Sequence, residues 1–255
     1  MDFPAAKHAF ETYLNDYDRN DDKIRLKIVH TYGVVRQAGN IAARMRLSEE
    51  DFRLAQIIAL LHDIGRFEQL KRFHSFEPSA MDHAAYGVQI LFEDGLIRRF
   101  VEEPFWDDLI RTAIARHSDY RLEGIKDART LLHARLIRDA DKLDNCRVKL
   151  EDDLETLLGL PAEKVGSQAV TPAIFDTVFQ NQCIVSADRV TAMDYWVSYI
   201  AYFFDLNFRE SLDIVAENDY VSRIIRRIPY SNPRTARQMA KIEAYMNHYI
   251  QTARS

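Results

Sequence analysis

Cysteine is almost missing from this chain: 255 residues contain only Cys146 and Cys183. With no CxxC spacing, neither a disulfide framework nor a thiolate zinc site is indicated, and both thiols are expected buried and reduced. Long apolar runs are lacking too. The longest, such as Ile57–Leu61 and Tyr199–Phe204, fall far short of the roughly 18 to 20 residues of a membrane span. Nor is there a basic excess. A net charge of -5 argues against non-specific duplex binding, which depends on neutralising many phosphates, although a few local cations suffice for a small phosphorylated substrate. The opening Met1-Asp2-Phe3-Pro4 has no basic patch followed by an apolar stretch, so no secretory signal is read and a cytoplasmic location is expected. No fixed-period repeat or low-complexity tract occurs, which removes solenoids and linkers.

What is present is an ordinary globular composition, with 47% apolar and 29% charged residues, on a chain long enough to bury a substantial core. Glycine (8) and proline (7) are scarce, and apolar residues recur at three and four positions rather than two, which predicts an all-α fold. Pro4 to about Tyr17 reads as a first helix, closed by the polar stretch Asp18–Asp22. Lys23–Arg46 reads as a second, with a stripe of Ile28, Tyr32, Val35, Ala42 and Met45. Ser48 is a natural N-cap, and Glu49, Glu50 and Asp51 suit the first turn of a third helix, Phe52–Asp63, that stops near Gly65.

From Arg66 to Met81 the pattern breaks around Phe67, Phe73, Phe76 and Pro78, so a long loop or irregular helix is expected. Asp82 then caps His83–Glu93, Pro104 precedes Phe105–His117, and Asp127 caps Ala128–Leu150. Gly159–Gln168 is the expected internal boundary. Thr171-Pro172 and Thr191 begin further helices that continue to about Thr252, with Gln182–Ser186 the only candidate strand. Tyr195, Trp196, Tyr199, Tyr202, Phe203, Phe204 and Phe208 stand at helical spacing and read as core, with a ligand box or a surface for self-association as the alternatives.

Chemistry concentrates before position 142. Leu60-Leu61-His62-Asp63-Ile64-Gly65-Arg66 places a His-Asp pair at an apolar helix end, a costly place for an ionised carboxylate unless a cation or hydrogen bonds compensate it. Neighbouring helical residues point about 100° apart, so the pair reaches one ion only from a helix end. His30, His83, His117 and Asp141 are further candidates. Imidazole and carboxylate without thiolate suit a borderline or hard divalent ion: Mn, Fe, Co, Ni, Zn or Mg.

The order His30, His62-Asp63, His83, His117 and Asp141, with the last set in Ala140-Asp141-Lys142-Leu143, resembles the HD superfamily over about residues 23–150. The resemblance implies an HD-domain helical bundle over residues 1–158, with 159–255 a helical extension packed on it and not an independent domain. It implies that His30, His62, Asp63 and Asp141 hold one metal, and that His83 and His117 match the added histidines of dinuclear members, where Asp63 bridges both ions. Members with a Gly-Tyr-Pro signature, which cleave cyclic dinucleotides, place a second histidine after the fourth. Here Ser118-Asp119-Tyr120 follows His117 and no Gly-Tyr-Pro occurs, so that specificity is not implied. Arg66 stands where those enzymes carry lysine.

The activity implied is hydrolysis of a phosphomonoester or phosphodiester, with a nucleotide-like substrate, by a metal-activated hydroxide. Asp63, Arg66 and Lys142 are the catalytic candidates. Arg66, Lys142, Arg116 and Arg121 are the candidates for binding phosphate. His74 is a candidate proton donor, His133 reads as structural, and Asp144 reads either as support for Asp141 or as half of a helix-surface ion pair. Two other readings stay open: a di-iron oxygenase of the same fold with the same kinds of ligand, and a non-catalytic module that binds metal or nucleotide.

Overall fold

The computed structural model describes residues 1–77 and 80–254, so Pro78 lies outside the described residues. The chain is all-α, and no strand occurs among the described residues. It divides into two compact units, Met1–Asp141 and Lys142–Ser255.

In the first unit, α1 (Phe3–Tyr13) starts with Pro4 in its first turn and Asp2 accepting from the Ala5 amide. It continues as a 3-10 turn over Leu14–Asp16. Helix α2 (Asp22–Arg44) is capped by Asp21, whose side chain accepts from the amides of Lys23 and Ile24. Helix α3 (Glu49–Leu61) is capped by Ser48. The two helices pack along each other, burying Ile24, Val34, Ala38 and Ile41 of α2 and Leu54, Ile57, Ile58 and Leu61 of α3. Each such side chain contributes about 1.5–3 kcal/mol when fully buried. The buried face of α2 is rotated from the expected stripe: Val35 and Ala42 are buried, but Ile28, Tyr32 and Met45 are only half-buried. Contact with a third element, α4, widens that face and draws His30 into it.

The largest departure from the sequence reading follows Asp63. Instead of an irregular segment, Ile64–Phe73 forms a regular helix, α4. Ile64, Phe67 and Leu70 recur at three-residue spacing and are buried, and the Phe67 ring packs against Phe10 of α1 with centroids 5.8 Å apart. Gly65 does not end a helix. A methyl group there would lie 2.3 Å from the His83 carbonyl oxygen, so glycine is what lets the next helix pack directly on α4. The stop comes at His74, which adopts the left-handed conformation (φ 48°).

Helix α5 (His83–Val88) is capped by Asp82 and widens into a π turn over Gln89–Glu93. Helix α6 (Asp107–Arg116) follows a 3-10 turn at Pro104–Trp106. The 24-residue α7 (Ala128–Glu151) begins at Asp127, whose carboxylate accepts from the Thr130 amide, and the division between the units falls within it.

The second unit continues through α8 (Leu154–Leu158), α9 (Ala162–Gly166), α10 (Pro172–Val178), α11 (Ala192–Ala201), α12 (Arg209–Glu217), α13 (Tyr220–Arg226) and α14 (Pro233–Ala253). Asp194 is its polar anchor, accepting from the amides of Thr171, Val190 and Thr191 and from the Thr171 hydroxyl. Trp196 and Phe203 are fully buried, while the other aromatics of that run are half-buried. Two expectations fail here. Gln182–Val185 is irregular backbone that leads into a 3-10 turn at Ser186–Asp188, and an apolar stretch without a partner strand does not form a sheet. Cys146 is buried, but Cys183 is only partly so. No helix among the described residues is long and apolar enough to cross a membrane.

Candidate metal centre

The break between α3 and α4 builds the centre. His62 caps the end of α3, and its Nδ1 donates to the Ala59 carbonyl at 2.7 Å. His117 repeats this at the end of α6, with Nδ1 2.7 Å from the Ile114 carbonyl. Each bond fixes the tautomer and leaves the Nε2 lone pair facing inward. Asp63, beginning α4, follows His62 directly, and its backbone carbonyl accepts from the Arg66 amide. His83 occupies the first turn of α5, His30 the middle of α2 and Asp141 the interior of α7.

These six residues form two groups in the first unit. In one, His30, His62 and Asp141 bring ligand atoms within 4.8 Å of one another; in the other, Asp63, His83 and His117 do the same. The His30 Nε2 to Asp141 Oδ1 distance is 2.9 Å. Asp63 stands between the groups. Its Oδ2 lies 3.2 Å from His62 Nε2, and its Oδ1 lies 3.1 Å from His83 Nε2 and 3.5 Å from His117 Nε2. All the donors except those of Asp141 belong to buried residues.

The donors fit a divalent cation. His62 Nε2 and Asp63 Oδ1 are both buried without a hydrogen-bond partner. With its Nδ1 proton committed to a carbonyl, His62 offers only an acceptor towards carboxylate oxygens. Acceptors that face one another are stabilised by a cation among them. The electrostatics agree. Burial pushes the His83 imidazole down to about 4, against the pull of Asp63 and with the help of Arg66, so the ring stays neutral. Burial alone would raise the Asp63 carboxyl, but the positive charge of Lys27 outweighs it and holds the carboxyl well below the ordinary range. At Asp141, the His30 hydrogen bond likewise overcomes burial and keeps the carboxyl low.

Among the phosphate-binding candidates, Arg66 has its guanidinium beside these groups. Its Nη2 is 2.9 Å from His83 Nε2 and its Nε is 3.9 Å from Asp63 Oδ1. Nη1 donates to the Gln69 side chain at 2.8 Å and to the Phe76 carbonyl at 3.1 Å, so the guanidinium is held from behind. Arg116 is engaged by the Asp119 carboxylate and the Glu123 carbonyl, and the exposed Arg121 has its guanidinium 5.7 Å from the centroid of the Tyr120 ring. Lys142 belongs to the second unit, where its ammonium lies 2.7 Å from Asp205. The His74 side chain is 71% exposed and faces Asp21 at 3.5 Å. His133 is buried and bonds Asp51 at 3.0 Å. Asp144, fully buried, is held through both oxygens by Arg147, so the ion pair is an interior one.

Two contributors escaped the sequence reading. Lys27 is buried and ion-paired with Asp63 Oδ2; its signal was the three-residue spacing to His30, which puts both on one face of α2. Arg138 donates to the carbonyls of Arg116, His117 and Asp119, fixing the end of α6 that presents His117. It falls three residues before Asp141, again on the same helical face.

A family model described as HD domain matches residues 28–146, a span that contains all six residues of the two groups. Neither the curated proteins nor the solved structures gave a match.

Proposed function

We propose that this chain, a member of the HD-domain superfamily of metal-dependent phosphohydrolases through residues 28–146, hydrolyses a small phosphomonoester or phosphodiester, with a nucleotide as the favoured substrate. The observation that carries the reading is the placement of Asp63 between two His/Asp groups with an arginine beside it. The first group would hold one divalent ion with Asp63 Oδ2, and His83 and His117 would hold a second with Oδ1. Divalent ions so held supply an activated water and polarise phosphoryl oxygens.

The chain's own residues do the rest. The backbone bonds of His62 and His117 keep their Nε2 atoms aimed before any ligand arrives, so little reorganisation is needed. Arg66, braced by Gln69 and the Phe76 carbonyl, presents a planar donor fork to an anionic oxygen and offsets the charge that builds there. Its side chain is 14% exposed, which shelters the charge from water and strengthens its pull on a phosphoryl group. Asp141 is the most exposed member, at 26%, which would leave the group open to substrate on that side.

The test is a panel of nucleotides and simple phosphoesters. It is run on protein stripped of metal and then reloaded separately with Mn, Fe, Co, Ni, Zn or Mg. Metal-dependent release of phosphate or of a nucleoside phosphate supports the reading. Oxygen consumption by an iron-loaded protein that releases no phosphate from any ester would replace it with the oxygenase alternative.

A further inference from the structure

Helix α2 carries charged side chains along its exposed faces, and Lys27 departs from them. Its side chain is 8% exposed, and its ammonium contacts Asp63 Oδ2. That oxygen is the one turned towards His62, at 3.2 Å, whereas Oδ1 serves His83 and His117. The ammonium therefore stands on the oxygen that Asp63 would give to the His30, His62 and Asp141 group.

We propose that Lys27 is a resident counter-ion of the metal centre, holding Asp63 Oδ2 and competing with a divalent ion for it. The inference rests on the reading that the two His/Asp groups bind metal. Three arguments support it. An ammonium has donors but no acceptor, so Lys27 cannot itself be a ligand. A buried carboxylate without a cation is strongly destabilising, so Lys27 keeps Asp63 in place before metal is bound. Like charges a few ångströms apart in a poorly screened interior repel, so an ion arriving in the first group displaces the ammonium from Oδ2 or tolerates it nearby.

Charge balance points the same way: the two cations Lys27 and Arg66 already offset the two carboxylates Asp63 and Asp141. An ion entering the His30, His62 and Asp141 group meets Lys27, whereas one entering the Asp63 Oδ1, His83 and His117 group meets Arg66. Lys27 is thus a positioning residue that sets how tightly the His30, His62 and Asp141 group holds metal.

The experiment is a Mn²⁺ titration by equilibrium dialysis on the full-length, metal-stripped protein, with Lys27→Met, Lys27→Gln and Lys27→Arg alongside. Wild type is expected to bind two equivalents. Lys27→Met should tighten one of the two by about 10- to 1,000-fold, lower the Tm of the metal-free protein and enlarge the rise in Tm on adding Mn²⁺. Lys27→Arg should bind Mn²⁺ as wild type does. If Lys27→Met does not fold, Lys27→Gln is read in the same way. A neutral variant that retains its helicity and binds Mn²⁺ as weakly as wild type, or more weakly, overturns the inference and leaves the metal-centre reading standing. A wild-type protein that takes up no Mn²⁺ or any other divalent ion overturns both.

Discussion

Oδ1 of Asp63 and Nε2 of His83 lie 3.1 Å apart, although the whole of α4 separates them in sequence. The contact depends on Gly65, against which the backbone of α5 rests. A Cβ at position 65 would fall 2.3 Å from the His83 carbonyl oxygen and 2.7 Å from the Gly87 amide nitrogen. Both neighbours are backbone atoms and cannot swing aside. Gly65→Ala is therefore expected to push α5 away, lower stability by about 1–3 kcal/mol and loosen metal at the Asp63, His83 and His117 group. Chemical denaturation together with metal analysis checks this; a variant that matches wild type in both would show that α5 does not depend on that close approach.

Arg66 touches His83 and is held by Gln69 and the Phe76 carbonyl. Its guanidinium stays protonated and cannot ligate metal, so Arg66→Ala should retain the metals while kcat/KM falls roughly 10- to 1,000-fold, as expected for about 1.4 to 4 kcal/mol of transition-state binding. Arg66→Lys should recover part of the loss, since it keeps the charge without the fork. Unchanged kcat/KM in metal-replete Arg66→Ala would remove Arg66 from the site.

His83 and His117 contribute to one group only. Changing both to Ala should lower the metal content of the purified protein from two equivalents towards one, with His30, His62 and Asp141 still in place. Retention of two equivalents in the double variant would mean that these histidines hold no ion.

The helix caps were open to sequence reasoning because each depends on one side chain and its own neighbours. Ser48, Asp82, Asp127 and Thr191 all accept the amide expected of a cap. The six residues gathered in the two groups could likewise be singled out by type and order. Tertiary packing was harder to read. Gly65 looks like a helix stop, yet it is a contact point. Phe67 and Leu70, set among charges, look irregular until α1 is packed against them. Lys27 resembles a solvated lysine in a charged run, and only the fold brings Asp63 to its ammonium. Gln182–Ser186 has strand composition without a partner strand, and no local pattern reports that lack.

Away from the centre, Asp51 at the start of α3 bonds His133 of α7. Burial alone would raise the Asp51 carboxyl, but hydrogen bonds from His133, Ser48 and Arg129 outweigh it and bring it down to about 2. A depressed carboxylate adds stability that is complete above its unfolded value near 4 and is lost as the pH falls through about 2. Asp51→Asn should thus cost about 1 kcal/mol at pH 7, once solvent screening of this partly exposed group is allowed for. By pH 3 roughly half of that difference should be gone. His133 adds to the acid sensitivity, because burial lowers its imidazole, so the stability it contributes wanes as the pH falls below about 6.5. Urea denaturation of both proteins at the two pH values measures this. A difference that grows on acidification would contradict it.

Asp63 is the residue on which the account turns, since its two oxygens face the two groups. The most direct measurement is the metal content of Asp63→Ala by mass spectrometry, beside wild type and with helicity checked by circular dichroism. The expected result is two equivalents in wild type and a loss of most bound metal in the variant at unchanged helicity. An Asp63→Ala protein that keeps its full complement of metal would contradict the account.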